Sequence, residues 1–159
     1  MQTEFLTNNS LETQKLGEML AMELRGGEII CLSGDLGAGK TTFAQGLLKG
    51  LGATGPYTSP TFVIMKEYKK KISNFKFQIS NKLKNSNNKI QSIYHIDAYR
   101  VGEEDIESLG WEEIIADKRN VIIVEWAERI SGIIPKGSLW IEFEGVDEEK
   151  RRITFRPKF

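Results

Sequence analysis

A chain of 159 residues, 40% of them hydrophobic, can bury one core and is short for two, which predicts a single domain over residues 1–159. Its 22 Lys and Arg balance 22 Asp and Glu, which excludes a global electrostatic pull toward nucleic acid or anionic membrane and leaves only local contacts. The one cysteine, Cys31, excludes an internal disulfide and any multi-cysteine metal site, and apolar runs such as Val121 to Val124 fall far short of the ~20 residues of a spanning helix, so a soluble cytoplasmic protein with no membrane contact is expected.

Glu4 to Leu6 reads as a short strand, and Asn9 or Ser10 offers an N-cap for a helix to about Leu24. Leu16, Met19, Leu20 and Leu24 recur at three- and four-residue spacing and predict its apolar face. Gly26-Gly27 stops the helix. Glu28 to Ser33, EIICLS, is then the mostly apolar, Ile-rich run expected of a buried parallel strand, with Cys31 as a small core residue.

Gly34 to Thr41, GDLGAGKT, fits the pattern of Gly, four residues, then Gly-Lys-Thr, placed between that strand and a helix. The arrangement gathers consecutive backbone N–H groups and the positive end of a helix dipole around one point, which suits a phosphate chain. Gly34, Asp35, Leu36, Gly37, Ala38, Gly39, Lys40, Thr41 and Thr42 form the expected nucleotide cradle. Lys40 would reach the outer phosphates and Thr41 would offer its hydroxyl to Mg²⁺. Thr42 to Leu51 make the helix, with Phe43, Leu47, Leu48 and Leu51 inward.

Tyr57 to Phe62 (YTSPTF) leads into a predicted strand from Phe62 to Met65, stiffened because Pro60 restricts Ser59 to extended torsions. Thr58, Ser59 and Thr61 read either as a magnesium or γ-phosphate sensor or as hydroxyls capping local backbone. From Lys66 to Lys89 eight lysines face the single acid Glu67, so this segment reads as a loop or hairpin insertion, with Phe75, Phe77 and Ile79 alternating. It is either a basic arm for RNA phosphates or an acidic partner, or a solvated insertion.

Ile90 to Arg100 reads as a strand ending at Asp97, where a carboxylate at the carboxyl end of a parallel strand faces the phosphate loop. Asp97 is therefore a candidate for a magnesium water, or else a capping residue. His95 shares its face and is either structural or a proton carrier, and Arg100 either reaches a phosphate or pairs with nearby acids. Glu103 to Asp117 is an acidic helical stretch broken at Gly110, with Ile106, Leu109, Ile114 and Ile115 as its apolar contacts. Val121 to Val124 form another buried strand, which brings Glu125 to the nucleotide as a metal-water ligand or as the group orienting the attacking water. Trp126 either stacks on a base or covers the sheet end. Leu139 to Phe143 and Arg152 to Phe155 alternate as an antiparallel pair turning around Asp147. The fold expected is α/β, a P-loop NTPase-like, mostly parallel sheet flanked by helices with a C-terminal antiparallel strand pair.

GDLGAGKTT (Gly34 to Thr42), TSPTF (Thr58 to Phe62), HIDAYR (His95 to Arg100) and EWAER (Glu125 to Arg129), in this order, closely resemble the TsaE family of bacterial tRNA threonylcarbamoyladenosine biosynthesis proteins. The likeness covers nearly the whole chain except the lysine-rich segment, where that family usually has a short turn. The resemblance implies an ATPase acting with the TsaB and TsaD proteins, tRNA being met through the complex. It further implies Lys40 and Thr41 on phosphate and magnesium, Asp97 on the metal, Glu125 in hydrolysis and Thr61 in a switch-like loop. Two other readings stay open, a small-molecule kinase with the lysine-rich segment as lid, and a non-enzymatic assembly factor that uses bound ATP. A GTPase is disfavoured because the nearest base-reading sequence, Asn81-Lys82-Leu83-Lys84, lacks its final acid.

Overall fold

The computed structural model describes residues 2–71 and 89–156. Seven strands form one sheet in the order β1-β7-β6-β2-β5-β4-β3: β1 Thr3–Thr7, β2 Ile29–Gly34, β3 Met65–Lys69, β4 Ser92–Asp97, β5 Asn120–Glu125, β6 Leu139–Gly145 and β7 Arg151–Arg156. The centre, β6-β2-β5-β4, is parallel, whereas β1-β7, β7-β6 and β4-β3 pair antiparallel. The expected C-terminal hairpin is therefore present, and antiparallel strands flank the parallel core on both sides.

Alternation along each central strand sorts its side chains into two cores. Ile30, Leu32, Ile93, Val121, Ile123 and Ile141 face α1 (Ser10–Ala21) and α2 (Lys40–Gly50). Ile29, Cys31, Ile96, Ile122 and Val124 face α3 (Glu103–Glu107), α4 (Trp111–Ala116) and the 3₁₀ turn Ala127–Ile130. β-Branched residues dominate these strands because both faces are covered, so no polar alternation is needed. The acidic stretch does break at Gly110, whose φ of 87° starts α4.

Four expectations change. Helix α1 ends at Ala21, and Met19 points to solvent at 55% exposure, because α1 packs on α2 through Thr13, Gly17 and Ala21. A Cβ on Gly17 would stand 2.4 Å from the Phe43 carbonyl oxygen, and one on Gly46 2.0 Å from that of Gln14. Such contact needs small residues, which carry no hydrophobic periodicity. The strand predicted at Phe62 to Met65 begins only at Met65; before it the chain turns, with Phe62 88% exposed and Ile64 at φ 63°. Lys66 to Lys69, read as the start of a loop or hairpin insertion, belong to β3 and pair antiparallel with Ser92 to His95. The alternation of Phe75, Phe77 and Ile79 lies outside the described residues. Finally, Leu109 is 44% exposed and adds little to the core that Ile106 and Ile114 enter.

Candidate functional site

The phosphate loop runs from the end of β2 into α2, and two of its glycines are needed for distinct reasons. Gly34 has φ 128° and a Cβ there would sit 2.1 Å from the Phe143 carbonyl oxygen on the neighbouring strand β6. Gly39, at φ 105°, is the N-cap of α2 and packs beside Thr13 and Arg151. The buried Lys40 ammonium donates to the carbonyls of Gly34 (2.5 Å) and Asp35 (2.7 Å) and lies 3.8 Å from the centre of the Trp126 ring. Burial lowers its pKa from the usual 10.5, opposed by the charges of Glu125, Glu128, Asp35 and Asp97.

Sheet register brings the two predicted carboxylates together. Asp97 ends β4, Glu125 ends β5, and the two are partners across the parallel pair, on the face that carries α2. Both are buried, at 6% and 2% exposure. Glu125 accepts from the Thr41 hydroxyl at Oε2 (2.8 Å), and its Oε1 lies 2.7 Å from His95 Nε2. Asp97 accepts the Tyr99 N–H at Oδ1 and the Thr61 hydroxyl at Oδ2, each at 2.9 Å. The Asp97 N–H donates to the Ile64 carbonyl at 2.8 Å, so the turn after Pro60 is tied to Asp97 at both ends.

Ser59 and Thr61 share a hydrogen bond of 2.7 Å, while Thr58 Oγ1 accepts from the Lys66 ammonium, away from Asp97. Of the three hydroxyls, Thr61 is thus the one that joins the carboxylates. Trp126 leaves β5 at φ 59° and ψ 36°, a left-handed turn uncommon outside glycine, and its ring packs against Tyr99 in a tilted contact, 4.8 Å between centroids. Arg100 is exposed, with its guanidinium 5.9 Å from the centre of the Phe62 ring.

A cleft of about 700 Å³ joins these groups. Leu36, Gly37, Gly39, Lys40, Thr41 and Thr42 line it on the loop side, with Thr61, Asp97, Arg100, Glu125 and Trp126 at the carboxyl ends of the strands. The carbonyls of Gly34 and Asp35 hold Lys40, and Ala38 is buried beneath the loop, so these three contribute backbone rather than lining. The remaining wall was not anticipated: Ser10 and Thr13 of α1, Tyr99, and Glu148, Glu149 and Arg151 of the β6–β7 hairpin. Arg151 braces that hairpin by donating to the carbonyls of Asp147, Glu148 and Lys150. Only the pairing of β7 with β1 and β6 brings it here, and no local motif announces that.

Residues 7–153 match the sequence model of the family described as Threonylcarbamoyl adenosine biosynthesis protein TsaE. A Bacillus subtilis protein named tRNA threonylcarbamoyladenosine biosynthesis protein TsaE is 36% identical over 154 residues, 97% of this chain and 85% of the relative. A protein of the same name from Aquifex aeolicus is 36% identical over 157 residues, covering 98% and 96%. The crystal structure of Bacillus subtilis YdiB superposes with a TM-score of 0.74 at 32% identity, over 99% of this chain and 86% of that one. With the family match spanning most of the chain and the sheet shared with YdiB, the chain belongs to the TsaE family of threonylcarbamoyl adenosine biosynthesis proteins.

Proposed function

We propose that this protein binds ATP with Mg²⁺ in the cleft and hydrolyses the ATP, as a component of the machinery that makes threonylcarbamoyladenosine in tRNA, working in the cytoplasm with the TsaB and TsaD proteins and meeting tRNA through that complex. The relatives' names support the pathway. The phosphate loop and the register partnership of Asp97 with Glu125, the latter bonded to Thr41, carry the chemistry.

The residues present fit a magnesium ion. Among the described residues no three His, Cys, Asp or Glu cluster as a closed metal cage, which matches an ion held largely by phosphate oxygens and water. Thr41, Asp97 and Glu125 would hold it, directly or through water. The ion would neutralise charge on the outer phosphates. Loop N–H groups and the α2 N-terminus bind the phosphates, and Lys40 leaves the carbonyls of Gly34 and Asp35 to reach them. Glu125, with lone pairs beyond those used by Thr41 and His95, orients a water in line with the bond that breaks. Thr61 holds Asp97 and moves with the turn after Pro60. Exposed Leu36 in the cleft wall, and exposed Phe62 and Val63 directly after Thr61 in the chain, support dependence on a partner protein.

Phosphate release measured with and without TsaB and TsaD tests the proposal, alongside Glu125→Gln. The variant is expected to bind ATP and to lose at least about 100-fold in turnover. Normal turnover by Glu125→Gln overturns its role; a phosphorylated small molecule in place of free phosphate establishes the kinase reading; ATP-dependent assembly without turnover establishes the assembly factor.

A further inference from the structure

We infer that His95 is the positioning residue for Glu125, and this rests on the hydrolysis reading of the cleft. His95 lies on β4 two residues before Asp97 and pairs in register with Ile123, two residues before Glu125 on β5. Its ring therefore projects from the same face of the sheet as both carboxylates and reaches along it to Glu125 Oε1, 2.7 Å from Nε2. His95 and Glu125 are 1% and 2% exposed, so water does not compete for the contact.

An ionised carboxylate only accepts hydrogen bonds, so Nε2 carries the proton. The other ring nitrogen, Nδ1, is buried and has no hydrogen-bond partner among the described residues. A bare imine nitrogen tolerates that position better than an N–H would, and the same tautomer follows from both ends of the ring.

The consequence lies in the freedom of Glu125. The terminal torsion of a glutamate is broad, and a carboxylate held at one oxygen can swing about that contact. Here donors grip opposite oxygens, Thr41 on Oε2 and His95 on Oε1. Thr41 is also the hydroxyl expected to turn toward the metal when nucleotide binds. His95 is then the donor that keeps the Glu125 plane fixed, and catalytic geometry is lost quickly when such an anchor goes. Sequence alone left His95 between a structural and a proton-carrying role; buried and outside the cleft wall it agrees with the structural one, and it reaches the cleft only through Glu125.

The test compares His95→Gln, which keeps an N–H donor, with His95→Met, which keeps a comparable volume and no donor, both assayed with TsaB and TsaD. His95→Met is expected to hold ATP within about threefold of the unaltered affinity while kcat falls at least about 10-fold. His95→Gln is expected to regain most of that loss, with both variants folded at the assay temperature and His95→Met melting no more than a few degrees lower for its lost buried bond. A long-range ¹H–¹⁵N correlation spectrum of the unaltered protein without nucleotide is expected to show His95 protonated at Nε2 and bare at Nδ1. Unchanged kcat in His95→Met overturns the proposal, as do equal losses in both variants and a ring protonated at Nδ1. Absence of turnover by the unaltered protein overturns the hydrolysis reading itself, and it is told apart because it needs no variant.

Discussion

Replacing Gly46 by Ala sets two physical effects against each other, and the structure decides between them. On helix propensity alone the change stabilises, by about 1 kcal/mol, since glycine is the poorest ordinary residue inside a helix. Yet the added Cβ would lie 2.0 Å from the backbone oxygen of Gln14 and 2.8 Å from its carbonyl carbon. Backbone cannot rotate aside as a side chain can, so α1 must move away from α2 by about an ångström to restore van der Waals distance. Overpacking of this kind costs about 3 kcal/mol, the upper end of its usual range. The net loss is then about 2 kcal/mol, or a Tm lower by about 4–8 °C for a domain of this size. Because α1 supplies Ser10 and Thr13 to the cleft and α2 supplies Lys40 to Thr42, ATP affinity is expected to fall as well. Thermal unfolding followed by circular dichroism, with ATP titration at 20 °C below the transition, reads both. A Tm equal to or above that of the unaltered protein would refute the claim that α1 and α2 touch through their backbones.

Further outcomes are expected at three residues. Lys40→Met is expected to weaken ATP binding at least 100-fold by calorimetry, in line with the loss of several kcal/mol of charge-assisted contact. It should also alter the pH dependence: the folded Lys40 sheds its proton below 10.5 while the unfolded chain keeps it, so stability rises with pH toward 10.5 in the unaltered protein, and denaturant titrations of the Met variant should lack this contribution. Burial pushes the Cys31 thiol up to about 12 from 9.0, so the unfolded chain loses this proton first and stability falls between those values by about 1.4 kcal/mol per pH unit, a slope that Cys31→Ala should remove. The same burial predicts that a thiol-reactive disulfide reagent modifies Cys31 only on unfolding, and fast labelling of the native protein would contradict it. Thr61→Val breaks the 2.9 Å bond to Asp97 and is expected to cost about 1 kcal/mol and at least about 10-fold in turnover, with Thr61→Ser close to normal; full turnover of the Val variant removes Thr61 from the catalytic set.

Much of the sheet was legible because its signals are local. Val121 to Val124 and the EIICLS run can bury both faces only as central strands, and a carboxylate directly after such a strand must lie at the loop-bearing end. Residue types at strand ends therefore located Asp97 and Glu125 before any contact was known. What failed was judged by apolar content where another force decides. Phe62 and Val63 look like the start of a strand, but Ile64 takes a left-handed turn whose carbonyl anchors Asp97, and the chain begins pairing only afterward. The charges of Lys66, Glu67 and Lys69 left a loop and a hairpin extension both open, and an edge strand with only Tyr68 buried tolerates them. Met19 fitted the helical period, yet the α1–α2 approach is set by glycines that a hydrophobic pattern does not register. The His95–Glu125 contact joins residues 30 apart on neighbouring strands, so it requires the register itself.

The direction of β4 has a practical outcome. The Lys69–Ser92 pair closes the β3–β4 ladder at the start of β4, and exposed Lys71 and Lys89 stand two and three residues from it along the chain. Asp97 lies at the opposite end of that strand, about 17 Å away at the usual rise per residue. The backbone of Lys71 is fastened to the Gly52 carbonyl at 2.8 Å, outside the cleft. Exposed Lys71 and Lys89 are thus natural attachment points: a fluorophore, an affinity handle or a surface tether placed on either reports on or captures the protein while the phosphate-loop end of the sheet keeps its register.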